Sequence, residues 1–447
     1  MKQKRLLLGI ALCGLLPTVW ISSPAVREIV KETFSPSVYA YPYDLSPSGR
    51  ARESLTAEIS EVQLRAQRNP TDGLELATLA GAYLKMARLT GDDRWYDMAE
   101  TSAQQSLENL PFNNDGAVVA LAKIAEANHD FAEAERLAQQ AAGGEAMAIV
   151  VTAQLATGQV EAARAGADEL VEFSPSLGSL TLRALARQAQ GDRVGALEDF
   201  QQAIAVEEPA DVRGSALART LLGDVYAGQG QVGLAQALYE EALEIVPQYP
   251  QALLNLAALK ADQGQYRAAE KYYGQVDDPL ALLGLARVKA QQGEMDEARS
   301  QWMIVERILR EKVAENPLDH GRELAVLLLE RRALDFNAPD INAPDINAPN
   351  FNAPDFEDVD NGGLTEAIAL MEAEVTNRRD AETLETYAWA LSEAGRWVDA
   401  QRIIEEAIGL GTQEMGLFER AGEIALALEK TAEAEVYFAK ARAVSGL

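Results

Sequence analysis

The chain has very few of the residues that most catalytic and metal sites require. Its 447 residues include one cysteine, Cys13, and two histidines, His129 and His320. Disulfides, cysteine nucleophiles, zinc clusters and haem attachment therefore lack the residues they need. Each histidine lies on or beside a predicted helical stretch with no second ligand at metal spacing, so we expect packing or surface roles for both.

Sequence motifs of the common enzyme classes are also missing. The chain has no G-x-S-x-G elbow, no G-x4-G-K-[ST] phosphate loop and no H-E-x-x-H motif. It has no strand-rich part to carry a dinucleotide site, and its carboxylates are too common along the predicted helices for any single pair to indicate catalysis. The sequence therefore predicts a protein that is not an enzyme and has no catalytic, cofactor-binding or metal-binding residues.

Aromatic residues are scarce, at 6%, although hydrophobic residues make up 48% of the chain. Much of the hydrophobic content is Ala and Leu, beside Glu, Gln and Arg, and this mixture favours helices over sheets. A chain of this length is too long for one compact core, but a stack of repeats grows in one dimension and avoids that limit. The composition predicts an all-α protein.

Basic residues are outnumbered, with 40 Lys and Arg against 69 Asp and Glu, which gives a formal net charge of -29. Such a negative field repels the phosphates of nucleic acids and anionic lipid surfaces. Basic proteins, basic segments or cations are the partners that net charge favours. The same charge also keeps a large exposed surface soluble.

The amino terminus has the order of an export signal. An apolar run over residues 6–21 follows three basic residues, Lys2, Lys4 and Arg5. The run is too short to span a bilayer comfortably, and Pro17 would kink a lasting membrane helix. Cys13 invites a lipoprotein interpretation, but Leu12 stands where lipid attachment requires a small residue. We expect export across the inner membrane, into a periplasm or comparable lumen, or anchoring in the membrane through this segment.

Two sites offer small residues to a signal peptidase. Ser23-Pro24-Ala25 is the nearer one, so we assign residues 1–25 to a signal peptide or, if it is not cleaved, a membrane anchor, and 26–50 to a flexible segment. Val38-Tyr39-Ala40 is a second site that lies far from the apolar run.

One pattern recurs along the rest of the chain: a glycine, an alanine five positions later, and a packing residue four positions after that. The pattern occurs six times, as Gly158 with Ala163 and Ala167, Gly191 with Ala196 and Phe200, Gly230 with Ala235 and Tyr239, Gly264 with Ala269 and Tyr273, Gly293 with Ala298 and Trp302, and Gly395 with Ala400 and Ile404. The glycine is expected to end the first helix of a hairpin in a left-handed conformation, and the alanine to let the second helix approach the first closely. The packing residue would fill the space between hairpins, and stacking buries the face that each hairpin cannot bury alone.

The best-marked unit resembles the tetratricopeptide repeat (TPR). The matching residues are Leu221, Leu222, Gly223, Asp224, Val225, Tyr226, Gly230, Ala235, Tyr239, Ala242 and Pro247, and Arg219 replaces the tryptophan that begins the family pattern. The next two units carry Gly264, Ala269 and Tyr273, then Gly293, Ala298 and Trp302. Weaker copies, among them the unit with Gly395 and Ala400, extend the resemblance to about ten units over residues 74–447. It implies a right-handed superhelix of helical hairpins, similar to exported bacterial TPR proteins.

The resemblance implies binding of extended peptides or partner helices along the concave face formed by the first helices. The residues expected to line that groove are Thr220, Asp224 and Ala227 in the best-marked unit and Leu254, Ala258 and Ala261 in the next. These positions lack the lysines and asparagines of the chaperone-type carboxylate clamp. Residues 51–70 precede the array and read as an amphipathic capping helix with Leu55, Ile59 and Leu64 inward.

A repeated five-residue unit interrupts the array, which divides into residues 71–334 and 364–447. From Asp335 the chain reads DFNAP, DINAP, DINAP, NFNAP and then Asp355-Phe356, and we call residues 335–363 the NAP tract. Its four prolines exclude a regular helix and favour a flexible, disordered linker. Its evenly spaced apolar residues suggest a multivalent docking strip instead. Its acidic end does not fit an EF-hand loop, because the glycine comes one position early.

Two arrangements around the NAP tract remain open. Either the helices on its two sides pair as one split repeat with the tract as its loop, or they belong to two independently moving bodies. For function, the sequence predicts a protein interaction scaffold or assembly factor of the cell envelope. The alternative is a structural spacer without a specific partner.

Overall fold

A computed structural model describes residues 39–43, 48–209, 211–337 and 361–445. The chain divides into two compact units, residues 1–40 and 41–447. The predicted leader, Cys13 and most of the NAP tract lie outside the described residues. Within the described residues, regular structure consists of twenty-one α-helices without a strand, and no helix among them is long and apolar enough to cross a membrane.

The helices follow one another with short connections. In chain order they are α1 (Ser48–Arg68), α2 (Gly73–Thr90), α3 (Arg94–Asn109), α4 (Asp115–Ala127), α5 (Phe131–Ala138), α6 (Gly144–Ala156), α7 (Val160–Phe173), α8 (Leu177–Ala189), α9 (Arg193–Ala205), α10 (Val212–Gly228), α11 (Val232–Ile245), α12 (Pro250–Asp262), α13 (Tyr266–Tyr273), α14 (Pro279–Gln291), α15 (Met295–Glu315), α16 (Gly321–Asn337), α17 (Asn361–Glu374), α18 (Ala381–Glu393), α19 (Trp397–Gly409), α20 (Met415–Ala427) and α21 (Thr431–Ser445). From α2 onward they pack in consecutive pairs, giving ten hairpins in the described residues. The all-α solenoid predicted from the sequence is confirmed.

In nine of the ten hairpins, all except the α16–α17 pair that the NAP tract connects, the described turn has a left-handed residue. The six glycines of the recurring pattern have φ between 69° and 82°. In the second and tenth hairpins His129 and Glu429 take this conformation instead, each with φ 60°. The prediction for the glycines is confirmed, and the two hairpins without glycine keep the same turn through a less favourable residue.

Small residues set the distance between the two helices of a hairpin. A Cβ atom added to Gly223 would lie 2.5 Å from Cε1 of Tyr239, and one added to Gly422 would lie 2.5 Å from Cε1 of Phe438. Each ring therefore packs directly on a glycine of the facing helix, which explains why glycine and an aromatic residue occur together in these units. The pattern alanines are all fully buried, namely Ala163, Ala196, Ala235, Ala269, Ala298 and Ala400.

The helices on either side of the NAP tract form one hairpin, with α16 packed against α17. One hydrophobic core cluster runs without a break from Leu283 of α14, through Leu327 of α16 and Met371 of α17, to Ile424 of α20. The same cluster includes Ala400 of α19. The described helices on the two sides of the tract thus share a core, which favours the split repeat over two separate bodies.

The amino-terminal helix α1 packs on α2 as a cap. Leu55 and Ile59 are buried as expected, but the expectation for Leu64 is wrong, because this side chain is 53% exposed. Val62 and Ala66 are buried instead. The buried stripe follows the helical spacing of four, three and four residues, which Leu64 does not match.

Later hairpins return to contact earlier ones. The amide of Arg379 donates to the carbonyl of Ala156 at 2.8 Å, and Asn377 Nδ2 donates to the carbonyl of His129 at 2.5 Å. Farther along, Thr412 Oγ1 donates to the carbonyl of Ala189 at 3.3 Å. The turns within hairpins 2 to 4 thus touch the connections that follow hairpins 8 and 9. The array therefore coils far enough to bring its late hairpins into contact with its early ones.

The contact between late and early hairpins explains why position 191 requires glycine. A Cβ atom added there would collide with the carbonyl oxygen of Gly411, whereas one added to Gly264 would meet nothing within 4 Å. Both residues have the same left-handed conformation.

We predict that Gly191→Ala and Gly264→Ala each cost about 1–2 kcal/mol of folding free energy through backbone strain. Gly191→Ala should lose about 1–3 kcal/mol more, because backbone must move.

Urea unfolding of the full chain, followed by circular dichroism, tests this difference. The whole curve should be recorded, since a repeat array can unfold in parts. Equal losses for the two variants would contradict the contact between superhelical turns.

Candidate binding surface

A cavity of about 1520 Å³ is lined by the first helices α2, α6, α8 and α10, together with the carboxyl ends of the second helices α7 and α11. Its wall includes Ala148 of α6, Thr181 and Leu185 of α8, and Leu217 of α10, together with the carboxyl-terminal end of α2. Small-molecule pockets usually measure about 300–1,000 Å³. The size and the elongated set of helices suit a segment of polypeptide better than a small metabolite.

Five charged residues line this cavity: Lys85, Arg88, Arg213, Glu145 and Asp211. Three of these charges are already engaged. Lys85 pairs with Glu58 at 3.1 Å, and Glu145 pairs with Lys123 at 3.0 Å. Asp211 caps α10, where its Oδ1 accepts from the amide of Gly214 at 2.9 Å.

The other two charged residues of the cavity wall are Arg88 and Arg213. Neither forms an ion pair within 4.0 Å in the part of the chain that the structure describes, and both are exposed. Arg88 nevertheless lies near enough to Glu126 to offset part of the rise that burial causes in the pKa of that carboxyl. The Arg213 guanidinium lies 5.5 Å from the ring centre of Tyr249. Nearby in the wall, Phe173 is 64% exposed and Leu217 is 37% exposed. The cavity therefore offers unpaired positive charge beside apolar surface, within a chain of net charge -29.

A short segment of the chain itself occupies one edge of this cavity. Tyr41 lines it and packs against a hydrophobic cluster of α10, α11 and α12 that includes Ala216, Ile245 and Tyr249. The Tyr41 ring lies 5.8 Å from the guanidinium of Arg219, and Tyr43 Oη donates to the carbonyl of Glu207 at 2.9 Å. Burial and the neighbouring Glu207 raise the pKa of the Tyr41 hydroxyl. Residues 41–43 are thus held by ring packing, a cation–π contact and a hydrogen bond.

The arginine beneath Tyr41 replaces the tryptophan of the repeat pattern. Arg219 is fully buried, and its two terminal nitrogens donate to Glu207 at 2.8 and 3.0 Å. Nη1 also donates to the carbonyl of Ser215 at 3.1 Å, and Nε lies 3.5 Å from Glu241. Burial raises the pKa of Glu241 to about 7. The sequence shows that Arg219 replaces the tryptophan of the repeat pattern, but it does not show which carboxylates pair with this arginine.

A second buried polar cluster lies on the same helix. Asp224 Oδ1 accepts from Tyr239 Oη at 2.7 Å and from Asn255 Nδ2 at 2.5 Å. Burial raises the pKa of Asp224 to about 6, although both hydrogen bonds favour the carboxylate. Asp224 and Ala227 line a smaller cavity of about 470 Å³, together with residues 412–416.

The six residues predicted for the groove differ in exposure. Thr220 and Ala261 are buried, Asp224, Ala227 and Leu254 are half-buried, and Ala258 is exposed. Thr220 Oγ1 donates to the carbonyl of Ala216 at 2.8 Å, so its hydroxyl is already used inside the helix. The larger cavity is lined instead by residues nearer the amino ends of the first helices, such as Glu145 and Leu217. Whether any of the six contacts a partner stays a prediction.

The comparisons with known proteins identify the repeats. Residues 181–250 and 254–304 match one tetratricopeptide-repeat model, and residues 226–278 match another. No curated protein matches the chain. The matches show that residues 181–304 consist of tetratricopeptide repeats, a class of repeat whose members typically bind other proteins, and the ten hairpins in the described residues are consistent with a longer array of such units.

The raised pKa of Asp224 predicts a pH dependence. In the folded chain this carboxyl binds its proton more tightly than in the unfolded chain, so stability falls as pH rises from about 4 to about 7. Asp224→Asn should remove about 1–3 kcal/mol of that fall. Urea midpoints at several pH values measure it, with Asp262→Asn, at an exposed position on α12, as the matched control. A slope that Asp224→Asn leaves unchanged would contradict this assignment.

Proposed function

We propose that this protein is a non-catalytic scaffold or assembly factor that binds a partner protein in the cavity lined by the first helices. The observation that carries the proposal is the cavity itself. It is larger than a typical small-molecule pocket and has exposed apolar side chains beside Arg88 and Arg213. Unpaired charge and exposed apolar surface in one concave site are features of protein recognition surfaces.

The lining also suggests which segment the cavity binds. Two unpaired arginines and side chains such as Phe173 and Leu217 complement an extended segment with acidic and bulky apolar residues. The basic partner favoured by net charge would find its complement on the acidic outer surface instead. Binding of an acidic segment in the cavity and binding of a basic partner on the outer surface concern different faces of the protein, so each can be tested separately.

The leader supports placing this scaffold in the cell envelope. Basic residues before a short apolar run are typical of export signals. Such a protein would act in the periplasm or a comparable lumen, or on the membrane through an uncleaved leader. Fractionation of native cells tests this part, and a full-length chain with its leader in the cytoplasm would refute it.

A structural spacer is the second candidate, and the contacts between superhelical turns favour it. Hydrogen bonds such as that from Arg379 to Ala156 stiffen the coil along its axis. A spacer needs this stiffness but no stoichiometric partner. Chemical crosslinking in native cells, followed by purification through a carboxy-terminal tag, separates the two candidates by whether one partner is recovered in constant ratio.

Reversing the two unpaired charges tests the site. We predict that Arg88→Glu combined with Arg213→Glu lowers recovery of that partner at least about tenfold, a change of about 1.4 kcal/mol. Attraction to acidic side chains would become repulsion in a partly enclosed cavity. Quantitative mass spectrometry of the crosslinked complex measures the ratio of partner to scaffold.

The matched control changes the net charge equally on another surface. Arg267 of α13 and Arg402 of α19 are exposed, lie on second helices and do not line the cavity. Arg267→Glu with Arg402→Glu should leave recovery unchanged. Equal loss in both pairs would show that overall charge, and not the cavity, determines binding.

A further inference from the structure

The second compact unit of the chain begins at Tyr41. Tyr41 packs against the cluster that includes Tyr249 and against Arg219, and Tyr43 donates a hydrogen bond to Glu207. The residue just before them, Ala40, is exposed. An exposed residue followed at once by an anchored segment is a place where a protease can cut without loosening the folded array.

The sequence at this place meets the requirement of an export peptidase. Val38 and Ala40 put small side chains three positions and one position before the Ala40–Tyr41 bond, the spacing that signal peptidases read. The residue directly after the bond is Tyr41 and not a proline, since Pro42 stands two positions after it. The nitrogen of the bond that is cut therefore carries an ordinary hydrogen. Residues 22–40 separate this bond from the apolar run, and a chain of that length reaches at most about 60 Å, so the separation in sequence does not keep a peptidase at the membrane from reaching the bond.

We propose that the leader is removed by hydrolysis of the Ala40–Tyr41 bond, and that the mature chain begins with Tyr41-Pro42-Tyr43 anchored at the cavity. This inference rests on the export proposed above and replaces cleavage after Ala25. In the reaction one water adds across the bond between the Ala40 carbonyl carbon and the Tyr41 nitrogen. Ala40 becomes a carboxylate, and the Tyr41 nitrogen becomes an α-ammonium group.

Cleavage here has two consequences for the mature protein. It removes Cys13, so the exported chain has no thiol. It also places the new amino terminus beside the surface proposed to bind the partner, where residues 41–43 form part of the wall. A cut after Ala25 would instead leave residues 26–40 attached at this edge of the cavity.

Intact mass and amino-terminal sequencing of the carboxy-terminally tagged protein from native cells test the proposal. We expect the sequence Tyr-Pro-Tyr-Asp. Ala40→Arg should block removal of the leader and leave the longer chain, because a large charged side chain does not fit next to the bond that is cut. Ala25→Arg, the matched control, should leave the mature terminus at Tyr41.

The outcomes separate this proposal from the proposed function. A terminus at Val26 in the envelope fraction would overturn the Ala40 assignment and leave export standing. An uncleaved chain in the envelope fraction would overturn the assignment as well. An uncleaved chain in the cytoplasm would overturn both cleavage and export, while partner recovery remains an independent test of scaffolding.

Discussion

Close approach of two helices at a buried alanine is the constraint on which the rest of the structure depends. Each of the six pattern alanines, from Ala163 to Ala400, has no exposed surface, and aromatic rings such as Tyr239 fill the space left beside a facing glycine. A larger residue at either place would force the hairpin open. Because each hairpin repeats this geometry, small rotations between neighbours add up to a superhelix.

The superhelix creates the functional surface in two ways. It brings the carboxyl end of α2 beside α6, α8 and α10, so that these first helices line one cavity with Arg88 and Arg213. It also brings late hairpins back to early ones, where Arg379 bonds to the backbone of Ala156. A coil held in this manner offers a preformed site, and preformed sites bind extended segments with a smaller entropic cost.

Much of the fold could be predicted because the repeat pattern is local. Glycine, alanine and aromatic residues at fixed spacing determine the hairpins, and left-handed glycines follow directly from that spacing. The site depends on contacts between distant parts of the chain. No local signal links Arg219 to its partner Glu207, or Tyr41 to helix α10. The predicted groove residues come from two adjacent units, whereas the cavity depends on how many units the coil brings together.

Site-specific photocrosslinking in native cells tests most directly the central claim that the cavity binds the partner. A photoreactive residue at Leu217, in the cavity wall, is compared with one at Met303, which is 62% exposed and lies outside the wall. The account predicts one stoichiometric partner crosslinked through position 217 and none through position 303. Crosslinks to the same partner through position 303 alone would contradict it.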